Sequence, residues 1–361
     1  MARVVRHDSD MSFGAATVVI FATEVEGFQL ASGSAETAAA AVGIEVLARI
    51  DVPAEQPSYR AEAERIAELA PDAVIVQAGS VESATLINAV VGRKVSIVTA
   101  KPQTTRHRIL AVHNVADAQI VFVDTPGLHR KAGKAMNKLM NRTAANALAD
   151  ADVILFVSDA TRWTSEDDDV LKRLQQAQAP VIAVLNKIDR VHPRERLLDT
   201  IALMAARHDF TEIVPVSALK KDNLDDLMAL LPPFLPESPP LFPDDMHTDR
   251  SAEFHAAEVI REKLTLSLHQ ELPYGLTVQV ERYVEDEKGI TINAVIWVER
   301  DSQKGIVVGK GGAVLKRVGR SARLELKEQL QRNVHLEMWV KVKTNWADSE
   351  KDLLSLGYEA P

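Results

Sequence analysis

Short β-branched runs recur along the chain, and each ends in a polar cluster. Val121-Phe122-Val123 closes on Asp124-Thr125-Pro126-Gly127. Residues 181–185 close on Asn186-Lys187-Ile188-Asp189, and residues 213–216 on Ser217-Ala218-Leu219. Runs that are apolar throughout suit strands covered by helices on both faces. Polar groups at the carboxyl ends of such strands are where open α/β sheets bind ligands. Further strands are expected at 95–98, 119–123 and 153–157. Helical spacing predicts helices over 136–149, 167–176, 196–207 and 223–230. This alternation predicts a doubly wound sheet over residues 71–236.

The pattern differs on either side. Residues 1–13 read as a polar tail. Residues 14–70 read as an α/β extension, with strands at 15–22 and 44–50 and helices at 27–42 and 59–69. A strand at 73–76 and a helix at 80–91 follow. This βαβαβα order predicts parallel strands with right-handed crossovers. Residues 231–243 (LPPFLPESPPLFP) hold too many prolines for a helix or a central strand. They predict a semi-rigid boundary, with the linker proper at 237–250. In residues 251–361, Ser251 or Asp249 can cap a helix to about 269. Phe254, Ala257, Ile260, Leu264 and Leu268 form its apolar face. Alternating residues at 278–284 and 290–298 predict two strands. Gly309-Lys310-Gly311-Gly312 opens a helix, another spans 320–332, and a strand covers 335–342. The order is αββααβ.

Composition narrows the function. The chain has 361 residues, enough for two or three domains, and no cysteine, which excludes disulfides and thiol catalysis. No apolar run reaches the ~20 residues that span a bilayer. The apolar stretch 13–23 follows Asp8 and Asp10 and reads as a buried strand instead of an export signal, so a cytoplasmic location is expected. The net charge of −9 requires any RNA site to be a local basic patch. Lys310, Lys316, Arg317, Arg320 and Arg323 supply one around the GxxG loop, where small residues admit a phosphate backbone. Trp339 and Trp346 are candidate stacking residues, with core packing expected for Trp339.

From residue 86 to 358 the chain resembles the Era family of ribosome-associated GTPases, a G domain followed by a type II KH domain. The resemblance is carried by QTTRHRI (103–109), DTPGLH (124–129), TRW (161–163) and NKID (186–189). It continues through HTDRS (247–251), IREKL (260–264), ELPYGLTV (271–278) and HLEMWVKVKTNWADSEKDLLSLGY (335–358). It implies a site for GTP or GDP with Mg²⁺, and GTP hydrolysis. Asp189 would accept from guanine N1–H and the 2-amino group, which adenine cannot offer. Asn186 and Lys187 would brace that loop, and the backbone of Ser217 and Ala218 would donate to O6. Asp124 would reach the metal through water, flanked by Thr125 and Pro126. The Gly127 amide would sense the γ-phosphate, and Thr104 or Thr105 would supply a metal-binding hydroxyl. Leu128 stands where other GTPases keep a water-orienting Gln. The implied partners are the 3′ end of 16S ribosomal RNA, the 30S subunit and, peripherally, a membrane surface. Oligomeric state is not implied. Residues 17–87 separately resemble half of a type I periplasmic amino-acid-binding protein.

One element of the family is missing. A P-loop needs G-x-x-x-x-G-K-[ST] after its first strand. Residues 77–84 read QAGSVESA in that register. Gln77 and Glu82 replace the two glycines, Ser83 the lysine and Ala84 the magnesium-binding serine. Losing the lysine partner of a buried phosphate costs on the order of 2–5 kcal/mol, and adding a like charge costs more. The residues therefore predict retained RNA binding with weak nucleotide binding and little hydrolysis. Two alternatives stand beside this. One is a working GTPase whose cradle is rebuilt from amides around residues 78–80. The other is a small-ligand module fused to an RNA-binding domain.

Overall fold

The computed structural model describes residues 3–6, 15–21, 46–53, 73–78, 82–99, 101, 104–115, 118–126, 135–149, 151–175, 177–268 and 272–358, with backbone alone through residue 82. Strands β1 (Arg3–Arg6), β2 (Ala15–Phe21) and β3 (Val46–Pro53) form a separate sheet. Both of its pairings are antiparallel. This corrects two expectations: residues 3–6 are paired backbone within the anticipated tail, and β2 and β3 do not make a parallel crossover. The helices expected at 27–42 and 59–69 lie outside the described residues.

The central sheet has six strands in the order β5-β6-β4-β7-β8-β9. They are β4 (Ala73–Ala78), β5 (Ile109–Val115), β6 (Ala118–Asp124), β7 (Ala151–Asp159), β8 (Val181–Asn186) and β9 (Glu212–Pro215). All pairings are parallel except β5 with β6. Strand β8 is buried at every position, as its unbroken apolar run requires. One face packs Ile120, Phe122, Leu155 and Val184 against Leu86 and Ile87 of helix α1 (Glu82–Val91) and Leu227 of α5 (Leu224–Leu230). The other packs Ile154, Phe156 and Ala183 against Val170 and Leu174 of α3 (Ser165–Leu174) and Met204 of α4 (Arg196–Ala205). Helix α2 (Ala135–Ala149) covers β5 and β6 through Ala147.

Residues 95–98 are not a strand. The Asn88 carboxamide oxygen accepts from the amides of Val95 and Ser96 at 2.7 and 3.0 Å, and Glu262 takes the amide of Val98 at 2.9 Å. Side chains thus claim the donors that a ladder would have used. The antiparallel edge strand β5 is not among the expected strands. The linker follows its edge: His247 accepts from the Val112 amide, and Asp249 from that of Leu110.

The C-terminal domain packs α6 (Ala252–Ser267), α7 (Asp301–Val308) and α8 (Ala313–Leu330) on one face of a sheet ordered β10-β11-β12. Its strands are β10 (Leu276–Asp286), β11 (Gly289–Val298) and β12 (Val334–Val342). The first pair is antiparallel and the second parallel. Ser251, not Asp249, caps α6 by accepting from Phe254 N. One helix precedes the GxxG loop and one unbroken helix follows it, where the sequence suggested two helices after it. The two tryptophans reverse their expected roles. Trp346 is fully buried beside Met136 and Met140 of α2, whereas Trp339 is 44% exposed on the outer sheet face. A short helix α9 (Glu350–Ser355) completes this contact with α2.

Candidate functional site

The strand order places β4 between β6 and β7, so chain connections leave in opposite directions and open a crevice at the carboxyl ends. Register aligns Val76 with Asp124, Val157 with Val184, and Asp159 with Asn186. Asp124, Asp159, Asn186 and Ser217 consequently share one edge.

On one side of the crevice a hydrogen-bond network fixes the NKID loop. Lys187 holds a left-handed backbone, φ 66°, which turns the chain sharply after β8. Asn186 Oδ1 accepts from Lys187 N at 2.8 Å and Ala218 N at 3.0 Å, tying the loop to the Ser217-Ala218 turn. Ser217 Oγ donates to Asp189 Oδ1 at 2.6 Å and accepts from Lys220 N at 3.2 Å. Asp189 Oδ2 carries no hydrogen bond among the described residues. Leu219 is 67% exposed at the rim. Asp159 was not singled out in the sequence, although it ends a strand as Asp124 and Asn186 do. It takes the Lys187 ammonium at 3.0 Å and both donors of Thr161. Despite burial, the hydroxyl and amide of Thr161 and the Lys187 ammonium hold its carboxyl below the ordinary value.

On the other side Asp124 is fully buried. Ser83 Oγ donates to Oδ1 at 3.0 Å and Thr105 Oγ1 to Oδ2 at 3.2 Å. Burial pushes this carboxyl up to about 6, against the pull of the Ser96, Ser83 and Thr105 hydroxyls. Thr104 is not brought to Asp124. Its hydroxyl contacts Thr99 and the carbonyl of Lys101. Thr125 and Pro126 are buried beside Asp124, and Ala84 is buried in α1. Gly127 and Leu128 lie outside the described residues.

The raised value gives a pH dependence. Between the unfolded carboxyl value of 3.8 and about 6, the folded chain retains a proton that the unfolded chain releases. Stability contributed at this site is therefore present at low pH and falls as pH rises through that window, by about 3 kcal/mol in all. Asp124→Asn removes the titration. Its urea stability is expected to match the parent near pH 4 and exceed it by about 3 kcal/mol at pH 8 without nucleotide or metal. A stability difference that is constant with pH would refute this.

The GxxG loop joins α7 to α8. Gly309, Gly311 and Gly312 have φ of 74°, 61° and 78°. A Cβ at Gly309 would lie 2.5 Å from Val314 Cγ2 and 3.0 Å from Val314 N, so only glycine lets α7 meet α8 here. Lys310, Lys316, Arg317, Arg320 and Arg323 are exposed around this junction, and none is in an ion pair among the described residues.

The two domains meet through the segment between α1 and β5. Arg106 is buried, with Nη1 donating to Leu276 O at 2.7 Å and Nη2 to Pro273 O at 2.9 Å. Arg261 donates to Thr104 O and pairs with Glu258 at 2.6 and 2.7 Å. Lys94 bridges Glu262 at 2.8 Å and Glu325 at 2.5 Å. The partners that join the domains are more than 150 residues apart, and nothing local in the sequence marks them.

A family described as 50S ribosome-binding GTPase matches residues 83–187, and the KH domain family matches residues 271–347. The GTPase Era of Cronobacter sakazakii is 45% identical over 285 residues, covering 79% of this chain and 95% of its own. The chain belongs to the Era family of GTPases. A crystal structure of Era with MgGDPNP and nucleotides 1506–1542 of 16S ribosomal RNA is 39% identical, with a TM-score of 0.74 over 79% of this chain and 97% of that one. Aquifex aeolicus Era Y63A bound to GDP·AlF4⁻ is 38% identical, with a TM-score of 0.75 over 80% and 98%.

The family's ligand fits the two halves unequally. The Asn186–Asp189 loop and the Ser217-Ala218 turn offer acceptors and donors suited to guanine. At the phosphate half, both Asp124 oxygens already hold hydroxyl donors, Ser83 carries no charge, and the Ala84 side chain has no oxygen. Positions 83 and 84 thus supply neither a phosphate-binding cation nor a metal-binding serine.

Proposed function

We propose that this chain is an Era-type factor that binds the 3′ region of 16S ribosomal RNA on the 30S subunit, acts in subunit assembly, and hydrolyses GTP poorly. The observation carrying the RNA reading is the GxxG junction. Three positive-φ glycines stand at 309, 311 and 312, and exposed cations surround them. Backbone without side chains lets nucleotide phosphates approach, and nearby lysine and arginine release counterions. The family's RNA complex, with nucleotides 1506–1542, supplies the choice of ligand. The impaired-hydrolysis reading rests on Ser83 and Ala84 at the phosphate half, together with Glu82 where the family has glycine.

Binding of the full chain to an RNA of that 3′ sequence tests the first part. Lys310→Ala with Arg317→Ala is expected to weaken binding at least about tenfold. The slope of log affinity against log salt should become shallower by about 1.4, the value for two lost phosphate contacts on a single strand. An unchanged affinity and slope would remove the GxxG face from the RNA site. Steady-state GTP turnover tests the second part, and a rate equal to that of an intact family member would overturn it.

A further inference from the structure

We propose that the outer face of the C-terminal sheet is a second contact for single-stranded RNA, with Trp339 stacking on a base beyond the stretch that the GxxG loop holds. This rests on the RNA reading above and extends it, because that reading uses only the helix side of the domain.

Strand β12 lies at one edge of its sheet, so it borders both faces. Its inward residues Leu336, Met338 and Val340 belong to the core beneath α7 and α8. Helix α8 crosses β12 closely, and a Cβ at Gly319 would lie 2.8 Å from Met338 Cε. Helical spacing sets Lys316, Arg320 and Arg323 on the flank that Gly319 shares, and all three are exposed. The residue after Met338 is Trp339, whose side chain takes the opposite face of the strand. The helix rises about 10 Å between Gly312 and Gly319. A strand of RNA leaving the GxxG loop along these cations therefore arrives at the β12 edge, where Trp339 begins the outer face.

That face offers a supported π surface. Trp339 is 44% exposed, and register sets it in one cross-strand row with Gln279 and the wholly buried Val295. In the adjacent row Trp297 donates its indole N–H to Gln279 at 3.1 Å, and the ammonium groups of Lys341 and Lys343 stand 5.5 and 5.9 Å from its ring centroid. The carboxylates of the face are engaged: Glu281 accepts from Lys341 at 3.1 Å and Glu337 from Asn293 at 3.3 Å. An indole held on a sheet with part of its surface in water is a platform for any base, since every base has a π face. The cations at 316, 320 and 323 select a polyanion as the occupant.

Titration of the full chain with RNAs of about four and about twelve nucleotides from the same 3′ region tests this, four being the length that a GxxG loop clamps. Trp339→Ala is expected to weaken binding of the longer RNA about tenfold and to leave that of the shorter within about twofold. Trp339→Phe should keep the affinity for the longer RNA within about threefold. Trp339→Leu, apolar but without a π face, should behave like the alanine variant. Parent affinity for the longer RNA in the alanine or leucine variant overturns the inference, as does an equal loss for both RNAs. The GxxG reading is then still judged by the Lys310→Ala, Arg317→Ala pair. A parent chain that binds neither RNA overturns that reading and the inference together.

Discussion

Glu82→Gly, Ser83→Lys and Ala84→Ser, made together, are expected to raise the affinity of the full chain for Mg²⁺·GDP at least about 100-fold, roughly 3 kcal/mol. The size follows from what each change restores. A lysine at 83 would supply a cation to the phosphates, a contact whose loss costs on the order of 2–5 kcal/mol. Removing Glu82 takes away a like charge, and the Ala84→Ser change returns a hydroxyl where the side chain now has no oxygen. Ser83→Lys also withdraws the hydroxyl that occupies Asp124 Oδ1. Full recovery is not expected, because Gln77 still stands where the first glycine of the loop belongs. Ser83→Lys alone should gain less, since its neighbour Glu82 would offset the new charge. Titration with fluorescent GDP reads these differences, and the triple variant should also turn over GTP faster. An unchanged affinity would mean that amides around residues 78–80 already hold the phosphates, and the rebuilt-cradle alternative would then replace ours.

The strands that end in this crevice were legible because one local signal carried each of them. An unbroken apolar run closed by Asp124, Asn186 or Ser217 can hardly be anything but a buried strand delivering a polar group. The KH order was legible for a similar reason, since period-2 alternation marks β10 and β11. Legibility stopped where the deciding partner is distant in sequence. Residues 95–98 have a strand's composition, yet Asn88 and Glu262 capture their amides. Trp339 and Trp346 are equally apolar, and only the packing of α2 against the C-terminal turn buries the second. In the site itself, a bracing role for Asn186 and Lys187 could be expected, while Asp159, which takes the Lys187 ammonium, carried no motif that marks it. The Ser83–Asp124 bond could not be anticipated, because a P-loop has lysine at that position and gives no guide to what a serine there would contact.

Replacing Glu258 with Ala is expected to cost about 3–5 kcal/mol of stability, the range for removing one partner of a buried ion pair. Glu258 shares its pocket with two buried guanidinium groups, and Glu262 also acts on one of them, Arg261. Arg261 is 2% exposed and takes both Glu258 oxygens, and Arg106, 4% exposed, lies close enough to interact with both residues. Despite burial, Arg261, then His107 and Arg106, hold the Glu258 carboxyl below the ordinary range, and Glu258 in turn raises Arg261. Truncating Glu258 would remove the carboxylate that both guanidinium groups share. Arg261→Met should cost less, because Glu258 keeps Arg106 as a counter-charge, although Thr104 O loses its donor. The pair Glu258→Leu with Arg261→Met removes one charge of each sign and should recover most of the loss. The cost is placed at the junction of the two domains, because Arg261 reaches Thr104 and Arg106 reaches the carbonyls of Pro273 and Leu276. Chemical denaturation of the three variants measures it. Equal losses in Glu258→Ala and Arg261→Met would show that packing at this junction, and not its charge balance, sets the stability.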